Sequence, residues 1–264
     1  MALRINYNLA ASVAQRSLGA SQDNYAKQAE RLATGLRINK AGDDAAGMAV
    51  SERLKNQVRG LNQAQRNAQD GISMIQTAEG AMAEAHTILA RMRELAIQAS
   101  NDTVTANDRA NLQVEFSALY SEIDRIASST QFNGIAVLNG ASGNNLKLQI
   151  GANKDSGGDN AVTLNISSTS GFQPTMLDAN FANAGASITA QSAASGTITV
   201  LDNAVNAVSS ARASLGALQA RLESASRSIA VASENAAAAN SRIADADIAG
   251  SMSELVRAQI LQQA

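Results

Sequence analysis

"ISMIQTAEGAMAEAHTILARMRELAIQA", residues 72–99, places an apolar residue at every third or fourth position. Steps of four and three alternate without a miss along Met74, Ala78, Ala81, Ala85, Ile88, Met92, Leu95 and Ala99. This spacing returns an apolar side chain to one face of a helix on each turn, and it is typical of helices that pack lengthwise at a shallow angle. The stretch therefore predicts one of several long helices packed side by side.

The same spacing marks other segments of the chain. The apolar positions are Leu18, Tyr25, Ala29, Leu32 and Leu36 in a first helix, Leu112, Phe116, Leu119, Ile123 and Ile126 in a third, and Ala211, Leu215, Leu218, Leu222, Ala225, Ile229, Ala232, Ala236, Ala239 and Ile243 in a fourth. Asp43 and Asp44 are expected to start the second helix, and Asn107 and Asp108 the third, because carboxylate and amide side chains cap helix N-termini.

The second helix is predicted to run from about Asp44 to Ala99, which is roughly 80 Å at 1.5 Å per residue. A compact domain of this chain length would be only about 45–50 Å across. We therefore expect a mainly α fold in the form of an elongated rod of long packed helices.

Composition excludes several classes of function. Aromatic residues make up only 3% of the chain and Trp is absent, so burial must come from aliphatic side chains, which favours closely packed helices. Cys is absent, so there is neither a disulfide framework nor a thiolate zinc site. No stretch of 18 apolar residues exists, so membrane insertion is not expected. A net charge of −2 predicts no nucleic-acid partner.

A β-hairpin is predicted between the third and fourth helices. The stretches "LKLQI" (146–150) and "VTLNI" (162–166) alternate with period two, and a Gly-, Asp- and Asn-rich stretch joins them. Asn133-Gly134 and Asn139-Gly140 are turn signals. Residues 167–196, rich in Ser, Thr, Ala and Gly and containing Pro174, are expected to form a surface excursion with weak structure of its own.

The two ends of the chain carry complementary features. Residues 1–40 hold six basic and two acidic residues, whereas residues 234–264 hold four acidic and two basic ones. Both ends have an apolar stripe, and polar residues interrupt the first 18 residues too often for a signal peptide. Two paired helices would still leave an apolar flank for neighbouring copies to cover, which implies a polymer. The expected self-assembly positions are Leu18, Tyr25, Leu32, Leu36, Ile229, Ile243, Ile248 and Leu255.

Two long stretches carry a family resemblance. "RLATGLRINKAGDDAAGMAVSERLKNQVRGLNQAQRNAQDGISMIQTAEGA" resembles the N-terminal core of bacterial flagellin, and "SENAAAANSRIADADIAGSMSELVRAQIL" resembles its C-terminal core. The similarity runs over nearly all of residues 1–150 and 198–263. It implies a subunit of the extracellular flagellar filament, exported unfolded by the flagellar type III apparatus without a cleaved signal peptide.

The resemblance also implies a domain layout. Residues 1–42 would be an N-terminal inner-core helix and linker, and residues 43–171 the N-terminal part of the core domain. Residues 172–197 would be a short variable surface segment, residues 198–233 the C-terminal helix of the core domain, and residues 234–264 the C-terminal inner-core helix. The two terminal helices would form a coiled coil. The implied partners are other flagellin subunits, the flagellar cap and hook-junction proteins, and an export chaperone that binds the C-terminal segment.

The sequence departs from the family pattern in two places. The middle region is short, so no large outer domain is expected. The sequence also stops at "ILQQA", where family members usually continue through several more helical turns. A truncated sequence or an unusual subunit would account for this difference, and truncation would weaken the inner coiled coil.

The segment "ARMRELAIQASND", residues 90–102, resembles the part of flagellin that a vertebrate Toll-like receptor recognises. By resemblance, Arg91, Leu95 and Glu115 would carry receptor binding, and Glu94 and Gln98, on the face of Arg91, are assigned to the same surface. Leu95 also lies on the apolar seam. We expect assembly to be the primary role of this region, with receptor recognition secondary; Arg91 as an ordinary solvated charge is the competing interpretation.

No cofactor, metal site or catalytic centre is predicted. His86 is the only histidine and has no cysteine or carboxylate cluster beside it in the sequence, so a packed helix position is the favoured interpretation. Capping is favoured over metal binding for Asp43 and Asp44. No nucleophile, base and acid constellation and no phosphate-binding loop appear, so an enzyme is not expected.

The sequence leaves three alternatives open. A hook–filament junction protein would share the terminal helices but usually not the continuous run that starts at Arg31. A needle- or tip-type secretion protein, or a generic coiled-coil scaffold, would lack the hairpin between the helical halves. A soluble helical module that binds a receptor or glycan through its middle region would be a stable monomer with ordered ends.

Overall fold

A computed structural model describes residues 8–138, 146–154, 160–164 and 187–263. The Asn139-Gly140 turn, Pro174 and most of the predicted surface segment lie outside the described residues. The elements in chain order are α1 (Leu9–Thr34), α2 (Ala45–Ala99), α3 (Ala106–Ser129), β1 (Gln131–Phe132), β2 (Ile135–Ala136), β3 (Leu146–Gln149), β4 (Ala161–Leu164), α4 (Gln191–Ala244) and α5 (Ile248–Gln263). The mainly α fold with a small β-hairpin region is confirmed.

Side-chain caps fix the helix ends. Asp44 Oδ1 accepts the Gly47 N–H (2.8 Å), which serves the start of α2 as predicted. The N-cap of α3 is Thr105, not Asn107. Thr105 and Asp108 form a capping box in which each side chain accepts the backbone N–H of the other.

Leu36 lies past the end of α1, which corrects its predicted place in the first helix. Gly35 adopts φ 71° and its N–H bonds to Arg31 O, a left-handed helix C-cap that glycine adopts without strain. Leu36 instead forms an isolated antiparallel β-bridge with Asp245.

The chain forms two units, Met1–Gly60 with Val231–Ala264 (unit 1), and Leu61–Ala230 (unit 2). The core of unit 2 joins α2, α3, α4 and the hairpins. Its largest fully buried side chains include Met82, Leu89, Met92, Phe116, Ile123 and Leu201. The seam read from residues 74–99 is confirmed, because six of its eight positions are buried and the other two, Ala81 and Ile88, pack against the same core. The five-part domain division stays a prediction.

Two small hairpins complete unit 2. β1 and β2 are joined by Asn133 (φ 49°) and Gly134 (φ 77°), and positive φ at both turn residues matches the twist of paired strands. β3 and β4 pair antiparallel, which confirms the predicted hairpin, and Leu148 lies opposite Val162. A Cβ at Gly71 of α2 would overlap the Leu148 side chain, so this position admits the close approach of β3.

Helix α4 begins inside the segment expected to be a surface excursion. Ile188 and Ala194 are fully buried, and the Ile188 N–H bonds to Gln113 Oε1 of α3 (2.7 Å). The buried positions Ala194, Leu201, Val208, Leu215 and Leu222 recur every seven residues. This heptad keeps the Ser- and Thr-containing start of α4 helical, because it extends the apolar seam backwards.

Backbone pairing in unit 1 joins the chain after α1 to the α4–α5 linker. Arg37 N–H bonds to Ala244 O (2.7 Å), and Ala246 N–H bonds to Gly35 O (2.9 Å). The Arg37 guanidinium also donates to Ile243 O from Nε (3.2 Å) and Nη2 (2.7 Å). A cation at the last carbonyls of α4 complements the negative end of the helix.

Asp43 stabilises the connection between α1 and α2. Its carboxylate pairs with Lys27 Nζ (2.8 Å) and accepts the backbone N–H groups of Asn39 and Lys40 (3.2 Å each). The hydrogen bond from Lys27 and the two backbone donors lower the pKa of Asp43 to about 2. Both Asp43 and Asp44 are therefore engaged within the chain.

Within the described ranges, no helix is long and apolar enough to cross a membrane.

Replacing the buried Phe116 by Ala should lower the free energy of unfolding by about 3–5 kcal/mol, because it leaves a cavity in the core of unit 2. Val114→Ala on the same helix is the matched control, since Val114 is 68% exposed. We expect the control to change stability by less than about 0.5 kcal/mol. Urea unfolding followed by circular dichroism measures both, and equal losses would contradict the assigned core.

Asp43→Asn should destabilise unit 1 above about pH 4 and have progressively less effect as the pH falls to about 2. The pKa of Asp43 lies below its ordinary 3.8 in the folded chain, so its stabilising contribution is present above that value and is lost as the carboxylate is protonated. Thermal unfolding at a series of pH values measures the difference. Asp23→Asn, an exposed α1 carboxylate, is the control; a pH-independent difference for Asp43→Asn would contradict the assignment.

Candidate assembly and recognition surfaces

Helices α1 and α5 pack against each other in unit 1, but few of their side chains are buried. None of the side chains of α1 is buried, and in α5 only Ser251 and Ala258 are. The Ser21 hydroxyl donates to Ala258 O across the pair (3.3 Å). Small residues at the contact let the two backbones approach closely, but they bury little apolar area.

Many large apolar side chains of this pair remain exposed. On α1 they are Leu9, Val13 and Leu18 (43–63% exposed), and on α5 they are Ile248, Met252, Val256, Ile260 and Leu261 (45–60% exposed). Buried Ser251 and exposed Met252 are consecutive, hence about 100° apart around the helix. The exposed stripe of α5 therefore lies to the side of the contact with α1, and nothing in unit 1 covers it among the described residues.

The predicted self-assembly residues occupy different environments. Leu18 and Ile248 are exposed, whereas Tyr25, Leu32, Leu36, Ile243 and Leu255 are half-buried. Ile229 is only 7% exposed and packs with Leu61 and Ala64 inside unit 2. Its position is a correction: Ile229 serves the fold of the single chain and offers almost no surface to a neighbour.

An ionic cluster joins α2 and α3 at the predicted recognition surface. The Arg91 guanidinium donates to Glu115 Oε1 from Nε (3.0 Å) and Nη2 (2.8 Å), and to Glu94 Oε2 from Nη1 (3.0 Å). These hydrogen bonds, with Glu115 the stronger partner, raise the pKa of Arg91 above its ordinary value. All three side chains and Gln98 are exposed, so four of the five predicted residues share one accessible surface.

Leu95 does not belong to that surface. It is 1% exposed and packs in the core of unit 2, as its place on the apolar seam indicates. It can affect recognition only by holding α2 in position. Two residues that the sequence did not single out are accessible instead, namely Ile97 (46% exposed) and Val114 (68% exposed). The sequence did indicate their exposure, because both are apolar residues that lie outside the three–four seam.

His86 is half-buried on α2, and its Nδ1 atom has no hydrogen-bond partner among the described residues. In the described ranges, no three His, Asp or Glu side chains lie close enough together to hold a metal ion.

Comparisons with known proteins agree over nearly the whole chain. The family model of the bacterial flagellin N-terminal helical region matches residues 5–143, and the family model of the C-terminal helical region matches residues 198–264. The chain is 45% identical over 260 residues to the flagellin of Halalkalibacterium halodurans, which covers 98% of this chain and 92% of that protein. It is 44% identical over 265 residues to the flagellar filament 30.7 kDa core protein of Treponema maltophilum, with the same coverage.

A solved structure shows the same relationship. The crystal structure of Bacillus cereus flagellin superposes with a TM-score of 0.52 at 31% identity, covering 62% of this chain and 88% of that one. The two helical family regions, the identity with curated relatives and the long packed helices agree. The chain belongs to the bacterial flagellin family.

Proposed function

We propose that this protein is a structural subunit that polymerises into the filament of the bacterial flagellum. The single observation that carries the proposal is the exposed apolar row Ile248, Met252, Val256 and Ile260 of α5, and exposed Leu9, Val13 and Leu18 on α1 add further apolar surface. Contiguous exposed apolar surface of this kind marks an interaction site. In a filament, neighbouring copies would cover it.

Family membership supports the same role. A filament protein of Treponema maltophilum is similar over 98% of this chain. A hook–filament junction protein and a soluble receptor- or glycan-binding module gain no support from the identity with curated flagellins. The proposed function is mechanical, so its chemistry consists of burial and hydrogen bonding between subunits, with no substrate and no cofactor.

Folding of the ends would accompany assembly. An isolated helix is marginal in water, and the α1–α5 pair buries few side chains of its own. The subunit would be exported to the exterior without a cleaved signal peptide and would add at the filament tip. Flagellar cap and hook-junction proteins are its proposed partners there, and an export chaperone would cover residues 234–264 beforehand.

Met252→Glu should abolish polymerisation or raise the critical concentration at least about tenfold, because burial of one such side chain contributes about 1.5–3 kcal/mol. Met252 is 48% exposed, so the monomer should keep its fold. Ser253→Glu, an adjacent exposed position with the same introduced charge, is the matched control. Sedimentation and electron microscopy after seeding would measure assembly, and circular dichroism should show helix content rising on polymerisation. Normal filaments from Met252→Glu would contradict the proposal.

Recognition of the monomer by the vertebrate Toll-like flagellin receptor is the proposed secondary role. The exposed cluster of Arg91, Glu94 and Glu115, with Gln98 beside it, supports it. An arginine held by two carboxylates presents a fixed pattern of donors and acceptors to a partner.

Arg91→Ala should reduce receptor signalling by about tenfold, the loss typical of an interface anchor. Arg125→Ala is the matched control, because Arg125 is also exposed and pairs with Glu122 on α3. Reporter-cell signalling by purified monomers measures the effect. Both variants should keep the stability of the parent, since exposed ion pairs contribute little. Equal signalling by the two variants would refute the role of Arg91.

A further inference from the structure

A groove of about 290 Å³ lies between α2 and α4 in unit 1. Most polar side chains that line it already have partners within the chain. Asn240 Oδ1 accepts the Ser51 hydroxyl (2.7 Å), the Ser241 hydroxyl donates to Asp245 Oδ2 (2.6 Å), and Lys55 pairs with Glu52 (3.2 Å).

Arg59 is the exception in this groove. Its side chain is exposed, and it has neither an ion pair nor a hydrogen bond to any described residue. Val58 and Ala237 line the groove beside it. A guanidinium presents its donors in a planar fork that matches a carboxylate, and a partly apolar setting strengthens such a pair. The groove therefore offers an uncompensated cation to a carboxylate from outside the chain.

On α2 and α3 in unit 2, carboxylates outnumber arginines. Residues 70–129 contain nine carboxylates and four arginines. Those arginines are already engaged: Arg91 with Glu94 and Glu115, Arg93 with Asp202, Arg125 with Glu122, and Arg109 with the carbonyls of Ala99 and Asn101. Glu84 and Asp102 are exposed and have no ion pair within the described ranges. We name these two exposed carboxylates, Glu84 and Asp102, the acidic α2–α3 surface.

We infer that the Arg59 groove of one copy binds carboxylates of the acidic α2–α3 surface of a second copy. This inference rests on the proposed polymerisation and names one of its contacts. The Arg59 groove and the acidic α2–α3 surface lie at different places on each copy, so the contact is heterologous. A heterologous contact leaves both kinds of surface free at the ends of the assembly, and it therefore extends into an open polymer unless the rotation closes a ring.

Arg59→Gln tests the contact through its dependence on salt. The critical concentration for seeded polymerisation would be measured by sedimentation from about 10 mM to about 150 mM NaCl, over which the screening length falls from about 30 Å to about 8 Å. We expect Arg59→Gln to raise the critical concentration about threefold at low salt and to flatten its salt dependence. The critical concentration of Arg59→Lys should lie between that of Arg59→Gln and that of the parent. Arg227→Gln, an exposed arginine of unit 2, is the matched control and should behave as the parent.

Charge reversal tests the assigned partner. Arg59→Glu should raise the critical concentration further, and adding Glu84→Arg or Asp102→Arg should recover part of the loss in at least one double variant. If Arg59→Gln polymerises with the critical concentration and salt dependence of the parent, or neither double variant recovers, the inference is overturned. The proposed function fails separately, if the parent chain forms no filaments at all.

Discussion

The apolar seam between the long helices is the constraint on which the rest of the structure depends. In unit 2 it consists of the buried heptad Ala194, Leu201, Val208, Leu215 and Leu222 on α4 and the buried three–four positions of α2. Alanine occupies many of these positions, so the helices approach closely with few large side chains. A seam of this kind fixes the register of the helices, and it thereby determines which polar side chains reach each other, such as Arg93 and Asp202 at 2.6 Å.

The two units bury apolar side chains to different extents. Unit 2 encloses large side chains such as Phe116 and Ile123 almost completely. In unit 1, the α1–α5 pair fully buries only small residues of α5 and leaves many of its large aliphatic residues exposed. Hydrogen bonds hold the connection there instead, through Gly35, Arg37 and the α4–α5 linker. Unit 2 therefore encloses a core of its own, whereas in the proposed filament the terminal helices would gain burial from neighbouring copies.

Elements with a regular apolar period could be predicted from the sequence, whereas features that depend on tertiary packing could not. The start of α2 followed from the capping residues Asp43 and Asp44, its C-terminal half from an unbroken three–four spacing, and β3 and β4 from alternation. The start of α4 was missed because Ser, Thr and Gly suggest a loop, although the heptad through Ala194 extends the seam. Leu36 fits the spacing of α1 but lies beyond it, because Gly35 adopts a left-handed conformation that ends the helix. The Arg91–Glu115 pair depends on the packing of α3 against α2, which no local pattern encodes.

The spacing of the exposed residues on α5 has a geometric consequence. Ile248, Met252, Val256 and Ile260 recur every four residues, and a row of this spacing is inclined by about 26° to the helix axis. A helix of another molecule that follows this row must cross α5 obliquely instead of lying parallel to it. Copies joined through this row would be turned relative to one another, which favours a coiled arrangement over a flat layer.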